Sequence, residues 1–288
     1  MGNADGPVLG IIGGSGLGSM PGLRGTWREV GTPWGAPSDA VLDGTLAGRR
    51  VLFLARHGRG HVHTPASVPR RANLCALKDL GATHVVSVSA VGSLREAMAP
   101  GDVVVVDQFI DRTEGRARSF FGPGLVAHVG AADPVCAGLS VTCATAARDA
   151  GARVHEGGSY VAIEGPQFAT RAESTLHRGM GADVVGMTAM PEALLAREAE
   201  LHYAVLATVT DYDSWRPGHA AVDVAEVLDT LRRTRAAAQR TVALLAERLD
   251  GACGTGCATA LDGAVMTAPD RRDPAMVERL RPVAGRVL

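Results

Sequence analysis

Short apolar runs that open into small or polar residues constrain this chain more than any other feature. Residues 8–12 run straight into GGSGLG at 13–18, and residues 51–55 end at Arg56 and His57. Residues 84–89 open into a small-residue turn, 103–106 form a further run, and 161–164, 184–187 and 204–210 each end in polar residues. Runs of this length between helical stretches read as strands of an α/β sheet. Residues 72–81 (ANLCALKDLG) predict a helix closed by Gly81. A long helix is expected over about 222–249, where Val224, Val227, Leu228, Leu231, Ala238, Val242 and Leu245 mark one apolar face. Residues 113–135 lack periodicity and predict a long functional loop. No repeat or linker divides the chain, so residues 1–288 read as one domain.

Composition removes several chemistries. Lys78 is the only lysine, so a Walker A loop is excluded: Gly18 is followed by Ser19. A Schiff-base enzyme would have to use Lys78, which sits in a helical stretch with no supporting motif. With 29 basic against 30 acidic side chains, no nucleic-acid partner is expected. No apolar stretch is long enough to span a membrane, and the start MGNADGPVLG has no basic n-region. Five scattered cysteines, Cys75, Cys136, Cys143, Cys253 and Cys257, read as reduced thiols in a cytoplasmic protein. Cys253 and Cys257 raise the question of zinc or of a disulfide. No second ligand pair with zinc-site spacing follows them, so no metal is expected and a structural or incidental role is assigned.

Ligands of open α/β sheets collect at strand ends. GGSG offers unobstructed backbone N–H groups and the Ser15 hydroxyl, a nest suited to phosphate, although such turns are often only turns. Arg56 adds a guanidinium fork and His57 an imidazole, while Ser89-Ala90 and Gly92-Ser93 add hydroxyls and amides. Singly, each reads equally well as an ion-paired arginine, a core histidine or a packing turn. Together, Arg56, Ser15 and Ser89 point to free phosphate. His57, His61 and His63 in RHGRGHVH have no acidic neighbour, and Arg56 and Arg59 repel a cation. No GxSxG elbow is present. In TDYD, strand alternation predicts that Asp211 and Asp213 point the same way. Each would raise the other's pKa, so one can hold a proton near neutral pH.

The strings IIGGSGLG, PSDAVL, LARHGRGH, SAVGSLREAMAPGD, DQFIDRT, IEGPQFATRAES, GADVVGMTAMPE and TDYDSW run in order from residue 11 to 215. In them the chain resembles the trimeric purine nucleoside phosphorylase family, in its 5′-methylthioadenosine branch. The resemblance implies a single α/β domain whose central mixed sheet curls toward a barrel flanked by helices, in a homotrimer with sites near the subunit interfaces. It implies phosphate binding by Ser15, Arg56, His57, Ser89, Ala90 and Thr188. Met187 would lie under the ribose, Phe168 would pack on the purine, and Asp211 and Asp213 would read N7 and the 6-amino group. Val224 and Val227 would surround the 5′ substituent, His128 would come from the neighbouring subunit, and His61 would lie close by. Gln167 stands where the family commonly has arginine, and residues after about 250 form a divergent C-terminal segment.

The implied reaction is phosphate-dependent cleavage of 5′-methylthioadenosine to adenine and 5-methylthioribose 1-phosphate, in purine and methionine salvage. No cofactor is expected; inorganic phosphate is a co-substrate. The alternative is a phosphorylase of the same family acting on 5′-halo- or 5′-deoxyadenosine, adenosine or a 6-oxopurine nucleoside. A nucleosidase using water and a binding protein without turnover are the readings from other classes.

Overall fold

The computed structural model describes residues 6–216 and 222–288. Among the described residues, eleven strands form one hydrogen-bonded sheet. Its centre is β5 (His84–Ser93), flanked in parallel by β1 (Leu9–Gly13) and β11 (His202–Asp211). Beyond β1 lie β4 (Arg49–Ala55), β3 (Val41–Leu46) and β2 (Arg24–Arg28). Beyond β11 lie β6 (Val103–Val106) and β8 (Val154–Glu156). A branch of β10 (Val184–Gly186), β9 (Ser159–Ile163) and β7 (Gln108–Arg112) joins the far end of β5. The sheet is mixed, as expected, but the curl toward a barrel stops short of closure: β2, β7 and β8 remain edges among the described residues.

Two faces of this sheet are covered, so its central strands are buried on both sides. That is why they read as unbroken apolar runs. Alternation sorts their side chains. Leu9, Ile11, Val51, Phe53, Ala204 and Leu206 enter one core cluster, while Ile12, Leu52, Leu54, Tyr203, Val205 and Val209 enter the other. The first face is covered by α2 (Ala137–Asp149) and the C-terminal half of α5 (Val224–Arg248). The second carries α1 (Arg70–Asp79), α4 (Glu192–Glu198) and α6 (Pro274–Ala284). A ninth-strand connection supplies α3 (Arg171–Gly179), which opens with a capping box between Thr170 and Glu173.

Several sequence expectations shift. The helix expected over 72–81 runs from Arg70 to Asp79, and the long helix from Val224 to Arg248, where Asp223 caps its N-terminus. The strand expected to end at Met187 ends at Gly186. The stretch after Cys257, polar in sequence, holds α6. Asp273 caps that helix, Pro274 occupies its first turn, and Leu280, Val283 and Ala284 bury one side. All five cysteines are free thiols, including Cys253 and Cys257.

Candidate active site

The split in the sheet makes the cavity. On one edge of β5, β1 pairs with residues 84–87, whereas β10 pairs only with Gly92 and Ser93. Among the described residues no strand pairs with Val88 to Val91 on that side, and the gap opens a cavity of about 670 Å³. The ends of β1, β4, β5, β10 and β11 all reach it, through Gly14, Arg56, Ser89, Met187 and Asp211. The volume suits one small organic ligand with its co-substrate.

One pole is rich in donors. Arg56 is buried, and its terminal nitrogens donate to the carbonyls of Val88 (3.0 Å) and Ile12 (3.1 Å) and to Ser87 Oγ (2.6 Å). Three of its five N–H groups make these bonds and the buried Nε–H faces Glu192, so the guanidinium is fixed yet keeps one Nη1–H to offer. Its Nε lies 3.7 Å from Glu192 Oε2, an ion pair too long for a hydrogen bond. Glu192 in turn accepts from the Tyr203 hydroxyl at 2.8 Å. Beside the arginine, Ser89 Oγ and Thr188 Oγ1 stand 3.0 Å apart, brought together from β5 and the turn after β10. Ala90 borders the same space.

His57 Nδ1 meets the His63 carbonyl at 2.9 Å. A carbonyl only accepts, so Nδ1 carries the proton and Nε2 is left with a lone pair. Burial and the neighbouring Arg56 hold the imidazole neutral, with its pKa pushed down to about 4. The His61 ring stacks on it at 4.3 Å, and both rings border the cavity. The backbone of Ser15 opens a 3-10 turn between Gly14 and Gly16, which line the cavity; its hydroxyl lies outside the described residues.

The other pole is acidic. Asp211 Oδ2 accepts from Thr210 Oγ1 at 2.7 Å and Oδ1 from the Asp213 N–H at 2.8 Å. Burial outweighs these bonds and raises its pKa to about 6. Asp213 is also raised by burial, which outweighs the hydrogen bonds it receives from the Ser174 side chain and the Ser214 backbone. The pairing differs from the sequence expectation in its origin. The strand ends at Asp211, and Asp213 sits in a turn at φ +49°, so a local turn rather than strand alternation joins the carboxylates. The cause of the raised pKa also differs. Desolvation leads, and the charge of Asp213 contributes less.

Between the poles lie Met187 and Val185, and Phe168 sits at the mouth, still 41% exposed. The N-terminal half of α5 supplies an apolar wall of Val224, Val227, Leu228 and Leu231. Val224 and Leu228 remain exposed because this half of the helix faces the cavity, while Val242 and Leu245 enter the core. Arg235 and Gln239 of α5 donate to the Gly16 carbonyl, each at 3.3 Å, tying the wall to the glycine turn. His128 is exposed and does not line the cavity of its own chain.

Sequence reasoning missed the arginines that hold the turn after β10. Arg116 donates to the carbonyls of Met187 (2.8 Å), Met190 (2.9 Å) and Glu164 (2.7 Å) and pairs with the Glu164 carboxylate at 2.9 Å. Arg70 donates to the Pro65 carbonyl at 2.7 Å and reaches that of Thr188 at 3.4 Å. Both lie in stretches whose local pattern carries no chemical signal.

The Phosphorylase superfamily model matches residues 8–247. S-methyl-5′-thioadenosine phosphorylase of Cereibacter sphaeroides is 56% identical over 285 residues, covering 98% of each chain. The protein of the same name from Rhodospirillum rubrum is 49% identical, over 98% of this chain and 97% of its own. Among solved structures, a methylthioadenosine phosphorylase from an antarctic soil metagenomic library superposes with a TM-score of 0.91. It is 43% identical and covers 97% of this chain and 99% of its own. The Schistosoma mansoni methylthioadenosine phosphorylase in complex with adenine gives a TM-score of 0.82 at 37% identity, with 93% and 99% coverage.

Proposed function

Since this chain belongs to the phosphorylase superfamily, we propose that it cleaves 5′-methylthioadenosine with inorganic phosphate, giving adenine and 5-methylthioribose 1-phosphate. It is a pentosyltransferase of the purine nucleoside phosphorylase type. The observation that carries the substrate reading is the division of one cavity into a donor-rich pole and an acidic pole along a single strand. Ser89 lies at the first and Gly92 beside the second, roughly 10 Å apart on β5.

Phosphate rests at the first pole, held by Arg56, Ser89, Ala90, Thr188 and Ser15. A monoprotonated phosphate donates its own O–H to the lone pair of His57 Nε2. The nucleoside spans the rest: ribose over Met187, purine beside Phe168, N7 toward Asp211 and the 6-amino group toward Asp213. As the N-glycosidic bond breaks, its electron pair passes to the purine and positive charge builds on the ribose. The protonated Asp211 carboxyl delivers its proton to N7, so the base leaves neutral. The bound phosphate stabilises the cationic sugar and adds to C1′. Support for this division of labour comes from the raised pKa of Asp211 and from the place of Asp213, an acceptor, in the lining of the same cavity. A 6-oxo base would set acceptor against acceptor there.

The apolar wall of α5 favours a methylthio group over a hydroxyl by about 1–3 kcal/mol. The reaction needs no cofactor, and inorganic phosphate is its co-substrate. The working form is a homotrimer in the cytoplasm, serving purine and methionine salvage. Supporting the trimer, the cavity mouth leaves Phe168 and Val224 exposed, and His128 is exposed for a neighbouring copy. No described helix is long and apolar enough to cross a membrane. The test is adenine release from methylthioadenosine with and without phosphate. Release only with phosphate is expected; equal release without it makes the enzyme a nucleosidase.

A further inference from the structure

Far from the cavity, the fold assembles three thiols and an imidazole that no single stretch of sequence contains. Cys136 precedes the first turn of α2, His202 opens β11, and Cys253 and Cys257 lie in the segment after α5. Their Sγ and ring nitrogen atoms all lie within 4.8 Å of one another. Cys136 Sγ and His202 Nδ1 are 3.3 Å apart. Zinc bonds of about 2.3 Å to sulfur and about 2.0–2.1 Å to nitrogen give tetrahedral edges of roughly 3.4–3.8 Å, so small side-chain rotations close the cluster around one ion. A Cys-x-x-x-Cys pair joined by a distant Cys and His is a structural zinc set. We propose that Cys136, His202, Cys253 and Cys257 bind one zinc ion that fastens the C-terminal segment to the sheet.

The surroundings fit a metal held by thiolates. Binding releases the three thiol protons and leaves a site of net charge −1 from three thiolates and one divalent ion. The Arg197 guanidinium lies 3.8 Å from Cys257 Sγ and opposes that charge. Its other donors go to the carbonyls of Gly130 and Thr255, both at 3.0 Å, so it is fixed there by the fold. The Cys257 N–H donates to Cys253 Sγ at 3.5 Å, the kind of outer-shell bond that orients a coordinating sulfur. The His202 ring is held by stacking on His84 at 4.3 Å. The loop also passes close over α2. A Cβ on Gly138 would collide with the Ala252 carbonyl, so glycine there lets the Cys253 strand of the loop reach Cys136.

The role is structural. His202 and Asp211 stand at opposite ends of β11, nine residues and roughly 30 Å apart. The ion would instead pin the end of α5, whose other half forms the wall of the cavity.

The experiment is metal analysis of the untagged full-length protein purified without chelator, beside Cys253→Ser, Cys257→Ser and the control Cys143→Ala. Cys143 is buried and outside the cluster. One zinc per chain is expected in the parent and in Cys143→Ala, with loss in both serine variants. Cys253 is exposed, so its serine variant remains foldable even where Cys257→Ser is not. Cobalt exchanged into the parent should show thiolate charge-transfer and tetrahedral d–d bands, absent from Cys253→Ser. Thermal midpoint should fall in Cys253→Ser and on chelation of the parent, while KM for phosphate stays unchanged. Zinc-free protein with five reactive thiols on denaturation overturns the proposal. So does a count of three thiols, which reports a disulfide, or stoichiometric iron in place of zinc.

Discussion

The backbone N–H of Asp213 donates to Asp211 Oδ1 at 2.8 Å, so one acidic residue positions the other through the main chain. Asp211 thereby keeps its orientation when the side chain of Asp213 is changed. Replacing Asp211 with Asn removes the transferable proton but keeps the shape. Turnover of methylthioadenosine should fall roughly 10²- to 10⁴-fold. An N7-methylated substrate already carries the charge that protonation would create, so the same variant should cleave it nearly as fast as the parent. Equal losses on both substrates would show that Asp211 acts only in binding.

The pH dependence follows from the same group. Burial places the Asp211 carboxyl at about 6, and the acid form is the one that reacts. Its population falls as pH rises through that value, so kcat/KM for methylthioadenosine should decline on the alkaline side. Phosphate ionises too, but it serves both substrates alike. The ratio of kcat/KM for methylthioadenosine to that for the N7-methylated analogue therefore isolates Asp211. It should drop about tenfold per pH unit above about 6 and be flat in the Asp211→Asn variant. A flat ratio in the parent removes Asp211 as the proton donor.

Asp213 should set the choice of base. Its φ of +49° lies in the left-handed region, where Asn is tolerated, so Asp213→Asn leaves the turn intact. The new amide can rotate its N–H₂ toward a 6-oxo group. The preference for methylthioadenosine over methylthioinosine should shrink by about 5- to 150-fold, the worth of one buried hydrogen bond gained or lost. Competition between the two nucleosides measures it directly, and an unchanged ratio means that Asp213 does not read position 6.

How much of this was legible in the sequence depends on whether the signal was local. The buried strands were, because two covered faces leave unbroken apolar runs such as residues 103–106. The strand Arg24–Arg28 was not: all five residues are exposed, and no alternation marks it. The strand ends Arg56, Ser89 and Asp211 carried their chemistry in their residue types, and the sheet brings them to one cavity. Glu192, Tyr203, Arg70 and Arg116 act by holding other groups, so nothing near them in sequence shows what they hold. Cys136 and Cys257 are separated in sequence by four strands, β8 to β11, and only folding makes them neighbours.

The hydroxyl pair at the donor-rich pole should behave as a coupled unit. Ser89 Oγ and Thr188 Oγ1 share a contact of 3.0 Å, so each orients the other. Ser89→Ala or Thr188→Val should raise KM for phosphate about 5- to 20-fold, corresponding to about 1–2 kcal/mol, with KM for the nucleoside little changed. The double variant should cost less than the two single effects combined, because the second change removes a group already disoriented by the first. Strict additivity would place the hydroxyls in separate sites.

Gly92 should prove as sensitive as the carboxylates, although it has no side chain to react. It lies on β5 where Val209 and Asp211 straddle an irregularity in the pairing with β11. A Cβ there would stand 2.9 Å from Asp211 Oδ1 and 3.2 Å from both Asp213 Cβ and Val185 Cγ1. The backbone of β5 is fixed by strands on either side, so the displacement falls on the acidic pair. A shift near 1 Å in a positioned catalytic group costs on the order of 10²-fold in rate. Gly92→Ala should therefore lose about that factor in kcat for methylthioadenosine. The N7-methylated substrate, which does not need the proton from Asp211, should lose far less. The thermal midpoint serves as the control. A fall in rate that tracks unfolding, or one shared equally by both substrates, would mean that the strand rather than the carboxylate has moved.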